Sequence, residues 1–351
     1  MSQGCGPART DDVRPGRIRE DPQERPREID IVATMLRPLG KTNCRVHPVG
    51  LGCMELSWAY HDRNVDDEAG IALIRRAVDV GVDHFDTSNA YGPYTNESLV
   101  GRALAGRRDR VVIATKAGLV LEELVGYKYG RNGRPDHIRA ECDGSLDRLG
   151  VDTIDLYYLH RIDPQVPVEE TWGAMAELVA AGKVRWLGIS EAKVPELEKI
   201  SRIHPVTAVQ SELSLWTRDY LEDVAPWCAS NGASFVAFSP LGRGFLTGAI
   251  KADAQFGVED FRSTLPRFKP EAVAANQRIV EAVRAVADRR GVTPAQIALA
   301  WVLSHGEHVL AIPGTQRQNY VEQNHAAAVI SLTAEDLADL DAIPAPVGGR
   351  Y

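Results

Sequence analysis

The chain is expected to be an α/β protein of the (β/α)8 TIM-barrel class, with an N-terminal β-hairpin cap and an irregular insertion after the seventh strand. Three observations predict this. Eight short apolar strands recur along the 351 residues, nearly all separated by helical patterns. A hydrophobic fraction of 44% is ample for a large core, and 25% charged residues is ordinary for a soluble chain. The first βα turn, Gly50-Leu51-Gly52-Cys53-Met54-Glu55, lacks the third glycine of a dinucleotide fingerprint, which disfavours a doubly wound open sheet.

Residues 1–34 are rich in Arg, Asp, Glu, Pro and Gly and cannot bury enough surface to offset their ordering entropy, so a mobile polar extension is expected there. Residues 35–351 are expected to form a single barrel domain. Arg37 to Val46 reads as a hairpin turning on Gly40 and Asn43. The eight strands follow at Val49–Leu51, His84–Asp86, Val111–Thr115, Ile154–Leu159, Val184–Ile189, Thr207–Gln210, Ser234–Phe238 and Val309–Ile312.

Between them, Asp66–Val80 has an apolar face of Ile71, Ile74, Ala77 and Val78, with Asp66 as cap and Gly81 as terminator. Further helices are predicted at Glu97–Leu104, Pro135–Leu149, Val168–Ala180, Pro195–Arg202, Asp219–Ser230, Glu271–Arg290, Pro294–Ser304 and Asn319–Ala328. Residues 249–270 break the rhythm, and Lys128–Arg134 reads as a Gly- and Arg-rich loop.

The net charge of −8 argues against nucleic acid as a partner, which would need a basic face. Cys5, Cys44, Cys53, Cys142 and Cys228 are odd in number and scattered, without CxxC spacing. That disfavours a disulfide framework or metal site and suits a reducing compartment. No apolar run is long enough to span a membrane and no signal h-region is visible, so the cytoplasm is expected.

In such a barrel, chemistry belongs at the C-terminal strand ends. Those positions carry Asp86, Lys116, His160, Ser190-Glu191, Gln210 and Ser239, with Gly52-Cys53-Met54 after the first strand and Tyr91 in the loop after Asp86. An acid, an ammonium, an imidazole and a phenol form a proton-delivery set. The ammonium is expected to lower the phenol pKa, and the carboxylate to hold the ammonium. The imidazole can bond a substrate oxygen. Together they would polarise a carbonyl for hydride addition, with Tyr91 giving its proton to the alkoxide.

These residues resemble the aldo-keto reductases, NADP-dependent (β/α)8 barrel enzymes. Phe85-Asp86-Thr87 through Tyr91-Gly92 is similar to the DTAxxYG motif, with Ser88 for the usual Ala. Thr115-Lys116 resembles the strand-three lysine, and Leu149–Leu156 with Leu159-His160 the LGxDYIDLxxxH segment. Gly182–Arg185 with Gly188–Ser190, Ser239–Gly248 and Ile312–Thr315 follow in the expected order, so the likeness covers about residues 35–342. Phe261-Arg262, Leu265–Phe268 and Gly349-Arg350-Tyr351 look most like a bacterial pyridoxal-reductase-like or general aldehyde-reductase branch.

The resemblance implies Asp86, Tyr91, Lys116 and His160 as catalytic tetrad, and NADP(H) as cofactor. It implies Ser190 and Gln210 on the nicotinamide carboxamide and Phe238 stacked on the ring. The loop Ser239, Pro240, Leu241, Gly242, Arg243 and Gly244 would lie along the pyrophosphate. Gly314 and Thr315 lead to Arg317, either a 2′-phosphate ligand or a surface helix cation, and Gln323 and Asn324 would meet the adenine. Tyr320 stands where relatives often have Arg, and Gln323 where they often have Glu.

Trp58, Tyr60 and Trp216 either wall a substrate pocket with Tyr91 and His160 or serve loop packing. The expected activity is reduction of an aldehyde or ketone to an alcohol, the partner a small-molecule carbonyl substrate. Self-association into a homo-oligomer stays open. The alternative is an NADP-binding regulatory subunit resembling potassium-channel β-subunits. A Schiff-base aldolase or isomerase using Lys116 is a third reading.

Overall fold

The structure, a computed structural model, describes residues 35–58, 60, 66–123, 128–258 and 260–351; the expected N-terminal extension lies outside them. The hairpin forms as expected, with Arg37 opposite Val46 and Pro38 opposite Arg45. It closes the N-terminal end of the barrel. Arg37 donates to Leu303 O, Gly306 O and Val309 O at 3.1, 2.9 and 2.6 Å. Leu39 and Val46 are buried against the barrel interior.

The eight barrel strands are Leu51–Gly52, His84–Asp86, Val112–Ala117, Ile154–Leu159, Val184–Ser190, Ala208–Glu212, Ser234–Phe238 and Val309–Ala311. Neighbours pair in parallel and in sequence order. The ends join through parallel bridges Val49–Ala311 and Gly52–Gly314, with Gly50 N donating to Ala311 O at 2.9 Å. The expected (β/α)8 barrel is therefore the observed fold.

Because successive strand residues alternate between faces, each strand sorts its sequence into two rows. Val112, Ala114, Leu156, Tyr158, Ala208, Val236, Leu310 and Ile312 share the barrel interior. Ile113, Tyr157, Leu159, Ile189, Val209 and Phe235 belong to the larger core beneath the helices. Close approach inside the barrel needs Gly188: a Cβ there would lie 2.4 Å from ring carbons of Tyr158.

Helices Pro135–Leu149 and Val168–Ala180 have the expected bounds, the first ending on left-handed Gly150. Asp66 caps Asp67–Asp79 through Ala69 N. Three expectations need correction. Asp219–Ser230 is a short 3-10 turn, Asp219–Leu221, followed by the helix Val224–Asn231. Lys128–Arg134 is partly strand: Leu119–Glu123 and Lys128–Arg131 form an antiparallel hairpin. A helix at Ala334–Asp341, capped by Thr333, was not anticipated. The insertion after strand seven is irregular as expected, apart from 3-10 turns at Phe261–Thr264 and Pro266–Phe268. No helix among the described residues is long and apolar enough to cross a membrane.

Candidate active site

The inward rows run upward from the apolar interior and end in polar groups. Two positions beyond Ala114 stands Lys116, beyond Tyr158 stands His160, beyond Ala208 stands Gln210, and beyond Val236 stands Phe238. The period of the strand thus delivers side chains from different strands to one end of the barrel.

Lys116 is wholly buried and makes an ion pair with Asp86 Oδ1. Its Nζ also donates to Thr87 O at 2.8 Å and to Tyr91 Oη at 3.3 Å. Gln210 Nε2 donates to Asp86 Oδ2 at 2.7 Å. His160 meets Tyr91 edge-on at 5.9 Å between ring centres, and its Nδ1 lies 3.2 Å from Ser88 Oγ. The expected tetrad is assembled.

Its loop is fixed from below. Asn96 accepts from Thr87 Oγ1 at 2.6 Å and donates to Cys53 O and Ser57 Oγ, each at 2.9 Å. Buried Glu97 accepts from Thr115 Oγ1 and from Arg148 Nε, at 2.5 and 2.6 Å. The loops after the first and second strands are therefore locked together behind the reacting groups.

One electrostatic expectation needs correction. Burial raises the Tyr91 phenol pKa; Lys116 opposes this and Asp86 adds to it, and the net shift is upward. Dehydration outweighs a single cation that a carboxylate already neutralises. The phenol therefore stays protonated, the state from which a proton can be given. Lys116 loses by burial but gains more from Asp86 and Tyr91, so its ammonium form is favoured. Burial, then Arg161 and Lys116, push His160 well below its ordinary value, leaving a neutral imidazole.

The tetrad lies in a cleft of about 1270 Å³ that extends to Arg317, Gln323 and Asn324. This exceeds the ~300–1,000 Å³ of an ordinary small-molecule site and suits a dinucleotide together with a substrate. Gly52, Met54, Ser190, Phe238, Ser239, Pro240, Leu241, Arg243, Gly244, Gly314 and Thr315 line it between the two ends. Ser239 and Arg243 hold left-handed backbone, φ 48° and 55°, uncommon without glycine and concentrated at functional sites. A dinucleotide fits this donor set. Ser190, Gln210 and Phe238 line the cleft near the tetrad, small-residue loops line its middle, and Arg317 lies at its other end.

Several expected residues are engaged differently. Ser190 Oγ accepts from Arg161 at 2.9 Å, and the Gln210 amide is partly committed to Asp86. Arg243 lines the cleft, but its guanidinium is bidentate on buried Glu212, at 3.1 and 2.8 Å. It is thus neutralised rather than free for a pyrophosphate. Cys53 is buried with its thiol toward Leu51 O, burial raises its pKa, and it does not line the cleft. Glu191 pairs with Arg350 at 2.8 Å. Trp58 and Tyr60 line the cleft, but Trp216 is buried, stacked on Phe245 at 4.6 Å beneath Gly242.

Other lining residues were not singled out. Arg161 directly follows His160 and was legible as one more strand-end residue. Tyr129 and Arg131 come from the unexpected hairpin, and Tyr129 stands 5.4 Å edge-on from Trp58. Glu55 lies against Gly314, and burial raises its pKa to about 7, Arg262 opposing. Arg350 approaches the Phe238 ring at 5.6 Å, and Tyr351 lines the cleft.

Eight closed parallel strands with a carboxylate, ammonium, phenol and imidazole at their C-terminal ends define a cleft enzyme of the (β/α)8 class. The chain belongs to the aldo/keto reductase family, whose model matches residues 48–345. Among solved structures it is similar to the glycerol dehydrogenase of Gluconobacter oxydans, at 30% identity and TM-score 0.80, covering 91% of this chain and 99% of that one. It is also similar to an aldo-keto reductase from Klebsiella pneumoniae in complex with NADPH, at 28% identity and TM-score 0.68, covering 87% and 93%. A Klebsiella pneumoniae structure with NADP and acetate matches at 28% identity and TM-score 0.67, covering 90% and 97%.

Proposed function

We propose that this chain is an NADPH-dependent carbonyl reductase in which Tyr91 is the general acid. The observation carrying this is the hydrogen bond from Lys116 Nζ to Tyr91 Oη, 3.3 Å, on an ammonium already paired with Asp86. Bound NADPH supplies the hydride to the carbonyl carbon. The chain's own residues do the rest. His160, neutral, bonds the carbonyl oxygen through Nε2 and orients it. Tyr91 gives its proton to the developing alkoxide, and Lys116 stabilises the phenolate left behind. Asp86, fixed by Gln210, keeps the ammonium in place. Arg317 holds the 2′-phosphate that separates NADPH from NADH.

Among substrates, the motifs around Phe261 and Leu265 favour aldehydes of the pyridoxal-reductase-like or general aldehyde-reductase kind. The likeness to a glycerol dehydrogenase makes small polyols the alcohols to assay in reverse.

The test is loss of NADPH absorbance with a panel of aldehydes and ketones. Turnover is expected, and Tyr91→Phe should lower it by about 10²–10⁴-fold while NADPH affinity stays nearly unchanged. Undiminished reduction by that variant would overturn the acid assignment. Tight NADPH binding with no turnover of any carbonyl would favour the regulatory-subunit alternative.

A further inference from the structure

The cleft holds more cations than the proposed hydride transfer needs, and their partners separate them. Lys116 is neutralised by Asp86, Arg243 by Glu212 and Arg262 by Asp260. Arg317 stands at the far end beside Tyr320. Arg131 and Arg161 remain, both lining the cleft and neither within salt-bridge distance of a carboxylate among the described residues.

Both are held in place. Arg161 Nη1 donates to His160 O at 2.6 Å and to Ser190 Oγ at 2.9 Å. Arg131 Nη1 donates to Ile162 O at 3.1 Å. The two guanidinium groups are thus anchored on backbone carbonyls either side of Arg161 itself. These bonds engage Nη1 and leave Nε and Nη2 of each fork as donors, the geometry that suits a carboxylate or phosphate.

Their location also separates them from the loops of the expected pyrophosphate. They follow the third and fourth barrel strands, across the ring from the seventh and eighth, whose loops face the expected pyrophosphate. Arg161 is near enough to act electrostatically on both Tyr91 and His160. On the same cleft, Trp58 packs with Tyr91 and Tyr129 into an apolar patch. One cleft thus offers a carbonyl site at Tyr91 and His160, an aromatic surface for a short spacer, and two cations for an anion.

We propose that Arg131 and Arg161 form an anion clamp, and that the substrate is a short aldehyde or ketone bearing a carboxylate or phosphate. This rests on the carbonyl-reductase reading above and narrows its substrate class. Arg131 and Arg161 are specificity-determining residues; neither takes part in the proton transfer.

The test compares kcat/KM for matched pairs, 4-oxobutanoate against butanal and glyceraldehyde 3-phosphate against glyceraldehyde, with NADPH saturating. The anionic member of at least one pair is expected to be preferred about 10- to 100-fold, the range of one or two charge-assisted hydrogen bonds. Which pair shows the larger ratio tells carboxylate from phosphate. Arg131→Gln should lower that ratio about 10-fold, and added salt should lower it too, while Arg131→Lys should restore part of it. Arg161→Gln should act likewise, and if it disturbs His160, the Arg131 variants still decide. Ratios near one in both pairs, or a ratio untouched by Arg131→Gln, would overturn the clamp while leaving the reductase standing. No turnover of any of the four beside turnover of other carbonyls would likewise overturn the clamp, whereas no turnover of any carbonyl would remove the reductase reading and the clamp with it.

Discussion

Ser88 shows how one side chain adjusts a shared site. It stands where the family motif usually has alanine, and its Oγ is 3.2 Å from His160 Nδ1. For Nε2 to carry the proton that bonds a carbonyl oxygen, Nδ1 must accept, and Ser88 is the group placed to donate to it. Ser88→Ala should then lower kcat by about 3- to 10-fold, one ordinary hydrogen bond, with the NADPH dissociation constant unchanged. An unaltered kcat would show that the imidazole is oriented without it. Arg317 is set by its neighbour in the same way. Its guanidinium lies 5.3 Å from the Tyr320 ring centre and donates to Tyr320 Oη at 3.3 Å. The tyrosine that replaces a frequent arginine there is a shelf for the remaining one. Arg317→Ala should weaken NADPH about 10- to 100-fold and NADH far less, as titrated by fluorescence quenching.

The strands are the elements on which the site depends, and Gly188 on the fifth of them is a sensitive point. An added methyl would meet the Tyr158 ring at 2.4 Å and Ala208 O at 3.0 Å. Tyr158 is itself buried in the barrel interior, two positions below His160, so a shifted ring disturbs the strand that carries the imidazole. Gly188→Ala is expected to cost ~1–3 kcal/mol of stability, seen as a lower urea midpoint, and to reduce kcat with it. Strands such as Ile154–Leu159 were legible because a short, mostly apolar run between turn signals reads the same in sequence and in space. Their last inward residues were legible for the same reason, which is why Asp86, Lys116 and His160 could be named from sequence. The hairpin Leu119–Arg131 was not. Lys128 and Arg131 are exposed and Gly130 breaks any alternation, so its pairing depends on the backbone partner strand. Trp216 stayed open between pocket and packing because an aromatic after a strand reads alike whether it faces a cleft or stacks on Phe245, 29 positions further along the chain.

At the scale of the molecule, the least legible feature is the ion network joining the sixth strand to the last residues. Glu212 is fully buried and accepts from Arg243, from Arg350 Nε at 2.7 Å and from Thr217 Oγ1 at 3.0 Å. Thr217 in turn accepts from Arg267 at 2.6 Å. Arg350 also reaches Glu191, just beyond Ser190, so two carboxylates hold the end of the chain beside the sixth strand and the Ser190 side of the cleft. Burial alone would raise the Glu212 pKa, but Arg243 and Arg350 more than reverse this and hold it below the usual carboxylate value. A depressed native pKa means that the stabilisation is complete above the unfolded value of ~4.5. It is then lost as pH falls through the lower, native value. Glu212→Gln should cost ~3–5 kcal/mol at pH 7, because it strands the buried Arg243 guanidinium and takes from Arg350 one of its two carboxylates. Arg350→Met should cost less, since the Arg243 pair survives. The native protein should lose stability in urea titrations between pH 5 and pH 3, and Glu212→Gln should lose less over that interval. An equal acid loss in both proteins would assign the titration to other carboxylates.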